Sequence, residues 1–180
     1  DVLVGGSGRD HLLGGPNTYL RFPDDDALQG GDGDDYIEGG FGNDVLAGGN
    51  GRDILIGGDG HDLLRGAATL TAANRSWSVN WPNPAGELLF NNFTGNLFDS
   101  PDNAGDVMYG GRGLDELLGG QGDDLLYGED DNDSLHGNGG ADVLSGGQGI
   151  DALEGGNGDD LLFGGSEKDY LYGDGFSSGG

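Results

Sequence analysis

The sequence predicts an all-β fold, a parallel β-roll: a flattened, two-sided solenoid of about fifteen short strands in roughly seven coils, with two turn insertions. Three observations predict it. An aspartate followed two positions later by an aliphatic residue recurs every nine residues. A glycine-rich turn, G-G-x-G-x-D, precedes most of these aspartates. The bulk composition, with 43 glycines in 180 residues and only 33% hydrophobic residues, excludes a conventional core. A fixed period of this kind marks a stacked repeat architecture.

Taken in order, Asp1 with Leu3 and Asp10 with Leu12 open the series. Asp26, Asp35, Asp44, Asp53 and Asp62 follow, with Leu28, Ile37, Leu46, Leu55 and Leu64 behind them. The beat resumes at Asp106, Asp115, Asp124, Asp133, Asp142, Asp151, Asp160 and Asp169, paired with Met108, Leu117, Leu126, Leu135, Leu144, Leu153, Leu162 and Leu171. Complete turns start at Gly5, Gly30, Gly39, Gly48, Gly57, Gly110, Gly119, Gly146 and Gly155. Three more, from Gly128, Gly137 and Gly164, keep the length but lose glycines. Glycine reaches positive φ without steric cost, so each six-residue stretch reads as a tight turn. The three residues after each Asp favour strand. Their middle member is aliphatic and points inward. Its neighbours, among them His11, Arg65, Glu116, Ser134 and Glu154, are expected to face solvent.

Turn, strand, turn, strand makes one eighteen-residue coil, so turns on the same edge lie two repeats apart. One edge then carries Asp1, Asp26, Asp44, Asp62, Asp115, Asp133, Asp151 and Asp169; the other carries Asp10, Asp35, Asp53, Asp106, Asp124, Asp142 and Asp160. Two aliphatic side chains per coil bury too little surface to offset the ordering of eighteen residues. Net charge of −26 adds self-repulsion. Composition alone would suggest disorder, and the ordered period points to a cation that neutralises the acids.

The nonapeptide G-G-x-G-x-D-x-U-x, with U aliphatic, resembles the RTX repeat of secreted bacterial proteins over about 130 of the 180 residues. That resemblance implies Ca²⁺ binding, export of the parent protein in unfolded form by type I secretion machinery, and folding outside the cell. The chemistry agrees. Ca²⁺ takes six to eight oxygens in irregular geometry, which carbonyl-exposing glycine turns and one carboxylate per turn can supply. The expected metal-binding residues are Asp10, Asp35, Asp44, Asp53, Asp62, Asp115, Asp124, Asp133, Asp142, Asp151, Asp160 and Asp169. The turn carbonyls at Gly30, Gly39, Gly48, Gly57, Gly110, Gly119, Gly146 and Gly155 join them. Asp1, Asp26 and Asp106, beside the start or an insertion, extend the set. Eight aspartates on one edge and seven on the other give at most thirteen inter-turn sites, of which nine join turns of standard length. Roughly a dozen Ca²⁺ would bring about +24, close to cancelling −26.

The chain reads as one domain over residues 1–180. A short turn insertion spans 16–25, an aromatic-rich insertion spans 67–105, and the repeat degenerates over 173–180. The larger insertion holds Trp77, Trp81, Phe90, Phe93 and Phe98. Its aromatics either pack the loop onto the roll or form an exposed platform for a glycan or protein ligand. Beginning mid-repeat, the chain reads as an excised piece of a longer exoprotein, which could itself be an enzyme.

Other classes fit poorly. Seven Lys and Arg against 33 Asp and Glu disfavour nucleic acid and anionic membrane. No apolar run is long enough to span a bilayer. Cysteine is absent. The acidic stretch from Asp32 lacks the glycine and glutamate of an EF-hand. Paired carboxylates such as Asp34/Asp35 and Asp123/Asp124 are only successive turn positions, and His11, His61 and His136 form no cluster. The segment reads as non-catalytic.

Overall fold

The computed structural model describes residues 2–15, 25–66 and 103–174. It contains fifteen strands: β1 Val2–Ser7, β2 His11–Gly15, β3 Ala27–Asp32, β4 Tyr36–Phe41, β5 Val45–Asn50, β6 Ile54–Asp59, β7 Leu63–Arg65, β8 Val107–Arg112, β9 Glu116–Gly120, β10 Leu125–Asp130, β11 Ser134–Gly139, β12 Val143–Gln148, β13 Ala152–Asn157, β14 Leu161–Ser166 and β15 Tyr170–Asp174. Odd strands form an eight-stranded sheet and even strands a seven-stranded one, each in sequence order. Every pairing is parallel. This is the parallel β-roll that the repeat predicts.

The inward residue of each strand builds one apolar column per sheet. Leu28, Ile37, Leu46, Leu55, Leu64, Met108, Leu117, Leu126, Leu135, Leu144 and Leu153 are fully buried between the sheets. Register keeps these residues opposite one another from coil to coil, as in Leu28↔Leu46 and Leu126↔Leu144. It also survives both insertions. Val2 pairs with Ala27 across the first, Ile54 with Val107 and Leu63 with Glu116 across the second. The insertions interrupt turns on opposite edges and leave strand phase intact, since a slip of one residue would turn every core side chain outward.

Two details differ from the expectation. Most strands run six residues rather than three, because the Gly-Gly pair opening each turn stays in the ladder, as in Gly31↔Gly49. Only three residues, such as 51–53, then separate successive strands. The second difference lies on the outer faces. Arg65 and Ser134, expected in solvent, are 8% and 4% exposed, and Val45 and Ala47 are buried too. Burial on a sheet face depends on lateral neighbours as well as on alternation. Ala47 sits between Gln29 and Arg65, and Ser134 between Glu116 and Ala152.

The turns show why glycine recurs. Gly31 and Gly33 have φ of 120° and 129°, and a Cβ on either would strike the carbonyl oxygen of its counterpart one coil earlier. Where the repeat lacks glycine, Glu129, Asp131, Asn138 and Glu167 take φ between 71° and 83°. That is the left-handed region, which a side chain tolerates at about 1 kcal/mol or more. The degenerate turns thus keep the fold by shifting φ, at some strain.

Candidate metal centre

Each turn ends on its aspartate, and the roll stacks these aspartates into two ladders. On one edge the backbone N–H of Asp26 donates to Oδ1 of Asp44 at 2.8 Å, Asp44 to Asp62, Asp62 to Asp115, Asp115 to Asp133, Asp133 to Asp151, and Asp151 to Asp169. On the other edge the chain of bonds runs Asp10, Asp35, Asp53, Asp106, Asp124, Asp142 and Asp160. Asp26 and Asp106, beside the insertions, take their places like the rest. Asp1 lies outside the described residues.

One oxygen of each carboxylate therefore anchors the preceding coil. At nine ladder positions the other is left over. Oδ2 of Asp10, Asp35, Asp44, Asp62, Asp115, Asp133, Asp142, Asp151 and Asp160 is buried and accepts no hydrogen bond. An anionic oxygen buried without a partner is costly, so a row of them marks places built for something positive. The first glycine of the turn stands directly over this oxygen. A Cβ on Gly30 would overlap Oδ2 of Asp35 and the carbonyl oxygen of Gly48 one coil later. Gly39, Gly48, Gly57, Gly110, Gly119, Gly146 and Gly155 repeat that arrangement, each with its own aspartate and the next coil's carbonyl. A carboxylate oxygen and a main-chain carbonyl thus converge on space that only glycine leaves open. Among the described residues no three His, Cys, Asp or Glu side chains gather at one point. Any ion held here needs main-chain oxygens. Hard, oxygen-seeking Ca²⁺ fits that donor set; zinc does not.

Electrostatics agree. Burial, with neighbouring acids adding to it against the lowering effect of the backbone N–H, pushes Asp44 and Asp115 up to about 7. It pushes Asp62 to about 8, Asp133 to about 9 and Asp142 to about 6. Groups with raised folded-state values stabilise the fold when protonated. Their contribution is complete below the unfolded carboxylate value near 3.9 and is lost as pH climbs through about 6 to 9. In metal-free buffer the β signal in circular dichroism should therefore be larger at pH 5, still above the pI of 4.1, than at pH 9. A signal that grows with pH would show that these carboxylates are not buried without a cation.

Position five of the turn adds a set that sequence reasoning missed. Its side chain accepts from the backbone N–H one coil later: Asp25 from Asn43, Asp34 from Arg52, Asn43 from His61, Asp123 from Ala141 and Asn132 from Ile150. His61 Nδ1 does the same for Leu114 at 2.8 Å, which requires the neutral ring, and burial lowers the His61 pKa accordingly. Adjacent carboxylates consequently have opposite fates. Asp34 is held low by the Arg52 N–H and then by Arg9, whereas burial raises Asp35.

The register also brings Ser134, His136 and Glu154 together, a grouping invisible as a linear motif. Ser134 Oγ lies 3.1 Å from His136 Nε2, and His136 Nδ1 lies 3.3 Å from Glu154 Oε2. The order matches a nucleophile, base and orienting acid. Ser134's own N–H, however, is engaged in the ladder, donating to Asp115 O at 2.9 Å, and is not free to hold an oxyanion. This is a polar cluster on a sheet face. His11 packs edge-on against Tyr36 at 4.7 Å, with no dyad to Asp10. The insertion aromatics Trp77, Trp81, Phe90, Phe93 and Phe98 lie outside the described residues.

A family model for the RTX calcium-binding nonapeptide repeat, built of four copies, matches residues 1–17, 22–55, 39–68, 102–135, 109–144, 118–153 and 145–177. These stretches leave out only residues 18–21 and 69–101, inside the two insertions, and residues 178–180. No curated protein matches the chain.

Proposed function

Because the chain belongs to the RTX calcium-binding nonapeptide-repeat family, we propose that it is a structural and folding module of a secreted exoprotein, ordered by Ca²⁺ after export. The row of buried, unpartnered Oδ2 atoms supports this reading most directly. The ligands are the two aspartate ladders, with turn carbonyls completing each sphere. Each inter-turn site takes carboxylates from consecutive members of one ladder, Asp44 and Asp62 for example, and carbonyls from both turns. The segment binds ions and performs no reaction of its own; the parent protein's activity resides elsewhere in that protein.

Residues 1–180 act as one domain, with 16–25 and 67–105 as turn insertions and 173–180 as its degenerate end. Among the described residues no helix is long and apolar enough to cross a membrane. Export through type I machinery requires an unfolded chain in a calcium-poor cytoplasm. A fold that needs its metal meets that requirement.

Stoichiometry tests the ladder assignment. Equilibrium dialysis of the folded chain should give roughly 9 to 13 Ca²⁺ per molecule. Two or three ions would place the metal at a few special turns and overturn the ladder reading.

A further inference from the structure

The two outer faces of the roll differ in character. On β6, β8, β10, β12 and β14 the first and third residues point outward, and all ten are uncharged. In a chain with 33 acidic residues that is a strong local bias. Ile54, Leu125, Leu161 and Phe163 are 40%, 36%, 52% and 51% exposed on this face. Tyr109 and Tyr127 lie between them with rings stacked at 5.1 Å and 10°. The corresponding positions of the opposite sheet include Arg65, Glu116, His136 and Glu154. Contiguous exposed apolar surface on a soluble protein marks an interaction site.

Shape and charge select the occupant. Five strands at about 4.8 Å make a strip about 19 Å long, and its two side-chain columns stand about 7 Å apart. On the order of 300 Å² per copy falls short of the about 800 Å² per partner that a stable interface buries, so a second copy of this chain is a poor match. Sugar stacking is disfavoured too, because the two tyrosine faces are turned against each other. A helix rises 1.5 Å per residue, so about 13 residues span the strip. The apolar stripe of an amphipathic helix matches its width. Asp59 and Asp130 border the strip on one long side and Asp123 and Asp159 on the other, against Arg52 and Arg112. Arg112 is paired with Asp59 and Asp130, which leaves Asp123 and Asp159 as the bordering acids open to a basic partner.

We propose that the outer face of the even-numbered sheet docks an amphipathic helix of a protein partner, about four turns long, whose apolar stripe is flanked by Lys or Arg. The helix lies along the roll axis, across the strands. Leu125 and Tyr127 sit under its centre, and Asp123 and Asp159 meet its basic residues.

The test uses the Ca²⁺-loaded 180-residue chain and a 14-residue amphipathic Leu/Lys peptide as probe, at 0.15 M salt, read by titration calorimetry. A scrambled peptide of identical composition, which shares the charge without the stripe, should bind at least tenfold more weakly. Leu125→Glu should weaken the amphipathic peptide at least tenfold. Val4→Glu, an equal charge on the opposite sheet, should change it less than twofold. Circular dichroism in Ca²⁺ should be the same for both variants, since each replaces an exposed side chain. Equal binding of the scrambled peptide would reduce the effect to net charge and overturn the proposal. So would loss of binding in both variants. Concentration-dependent self-association abolished by Leu125→Glu would assign the face to a second copy instead, and flotation with phosphatidylcholine vesicles abolished by the same change would assign it to lipid.

Discussion

In metal-free buffer at pH 7.5 the chain should give the far-ultraviolet spectrum of a largely unfolded polypeptide, and millimolar Ca²⁺ should convert it to β structure in one steep transition. The expectation rests on two opposing quantities. Against folding stand a core of two aliphatic side chains per coil and the burial of carboxylates such as Asp62 and Asp133, whose folded-state values near 8 and 9 mean that ionisation at neutral pH opposes the fold. For folding stands mass action. At tenfold excess over Kd each bound ion adds about 1.4 kcal/mol, so nine sites add about 13 kcal/mol. That exceeds the whole stability of many domains. The sites share aspartates, so the ions should bind together. A full β spectrum in excess chelator, or a shallow titration spread over decades of Ca²⁺, would show that the coils hold themselves.

The second large effect comes from Asp133, in the middle of one ladder. Its Oδ1 accepts from the Asp115 N–H at 2.9 Å, and its Oδ2 is buried without a hydrogen-bond partner. Asp133→Asn keeps an acceptor and the shape but removes the charge. It should impair two adjacent sites and cost about 3 kcal/mol at tenfold excess Ca²⁺, about a hundredfold in the folding equilibrium. Asp133→Ala should cost a further 1 to 3 kcal/mol, because the buried Asp115 N–H then loses its acceptor. Without metal the sign reverses for Asp133→Asn. Removing a carboxylate whose pKa is raised should leave the metal-free chain at least as ordered as the parent. The exposed Asp34→Asn change, one position from a ladder residue, should leave the calcium midpoint where the parent's lies. Calcium midpoints followed by circular dichroism measure the three cases with metal, and the spectrum in excess chelator measures the fourth. An Asp133→Asn midpoint equal to the parent's would remove Asp133 from the metal-binding set.

Much of this was legible in the sequence, because the repeat length and the coil length are commensurate. Once each coil is taken as two nonapeptides, residues eighteen apart must stack, and Asp44, Asp62 and Asp115 fall on one edge even across a long insertion. The core followed from the same arithmetic. Less legible was whatever depends on lateral contact or on backbone donors. Nothing in the string indicates that Gly49 stays paired to Gly31, or that Ala47 is fully buried while Gln29 beside it is half-buried. The grouping of Ser134, His136 and Glu154 combines a separation of two with one of eighteen, and neither is a linear motif. Glu129 and Asp131 looked like failures of the repeat. Their φ values near 82° and 83° show that the turn survives them.

The side-chain bonds along each edge have a direction. Position six accepts from the coil before it, as Asp133 does from Asp115, and position five accepts from the coil after it, as Asn132 does from Ile150. Neighbouring residues of one turn therefore fasten to opposite neighbours, like a link with two unlike hooks. A lesion at Asp133 loosens the roll toward its N-terminal side, and a lesion at Asn132 loosens it toward its C-terminal side. The stack has a head and a tail at every joint, although its parallel sheets repeat the same coil throughout.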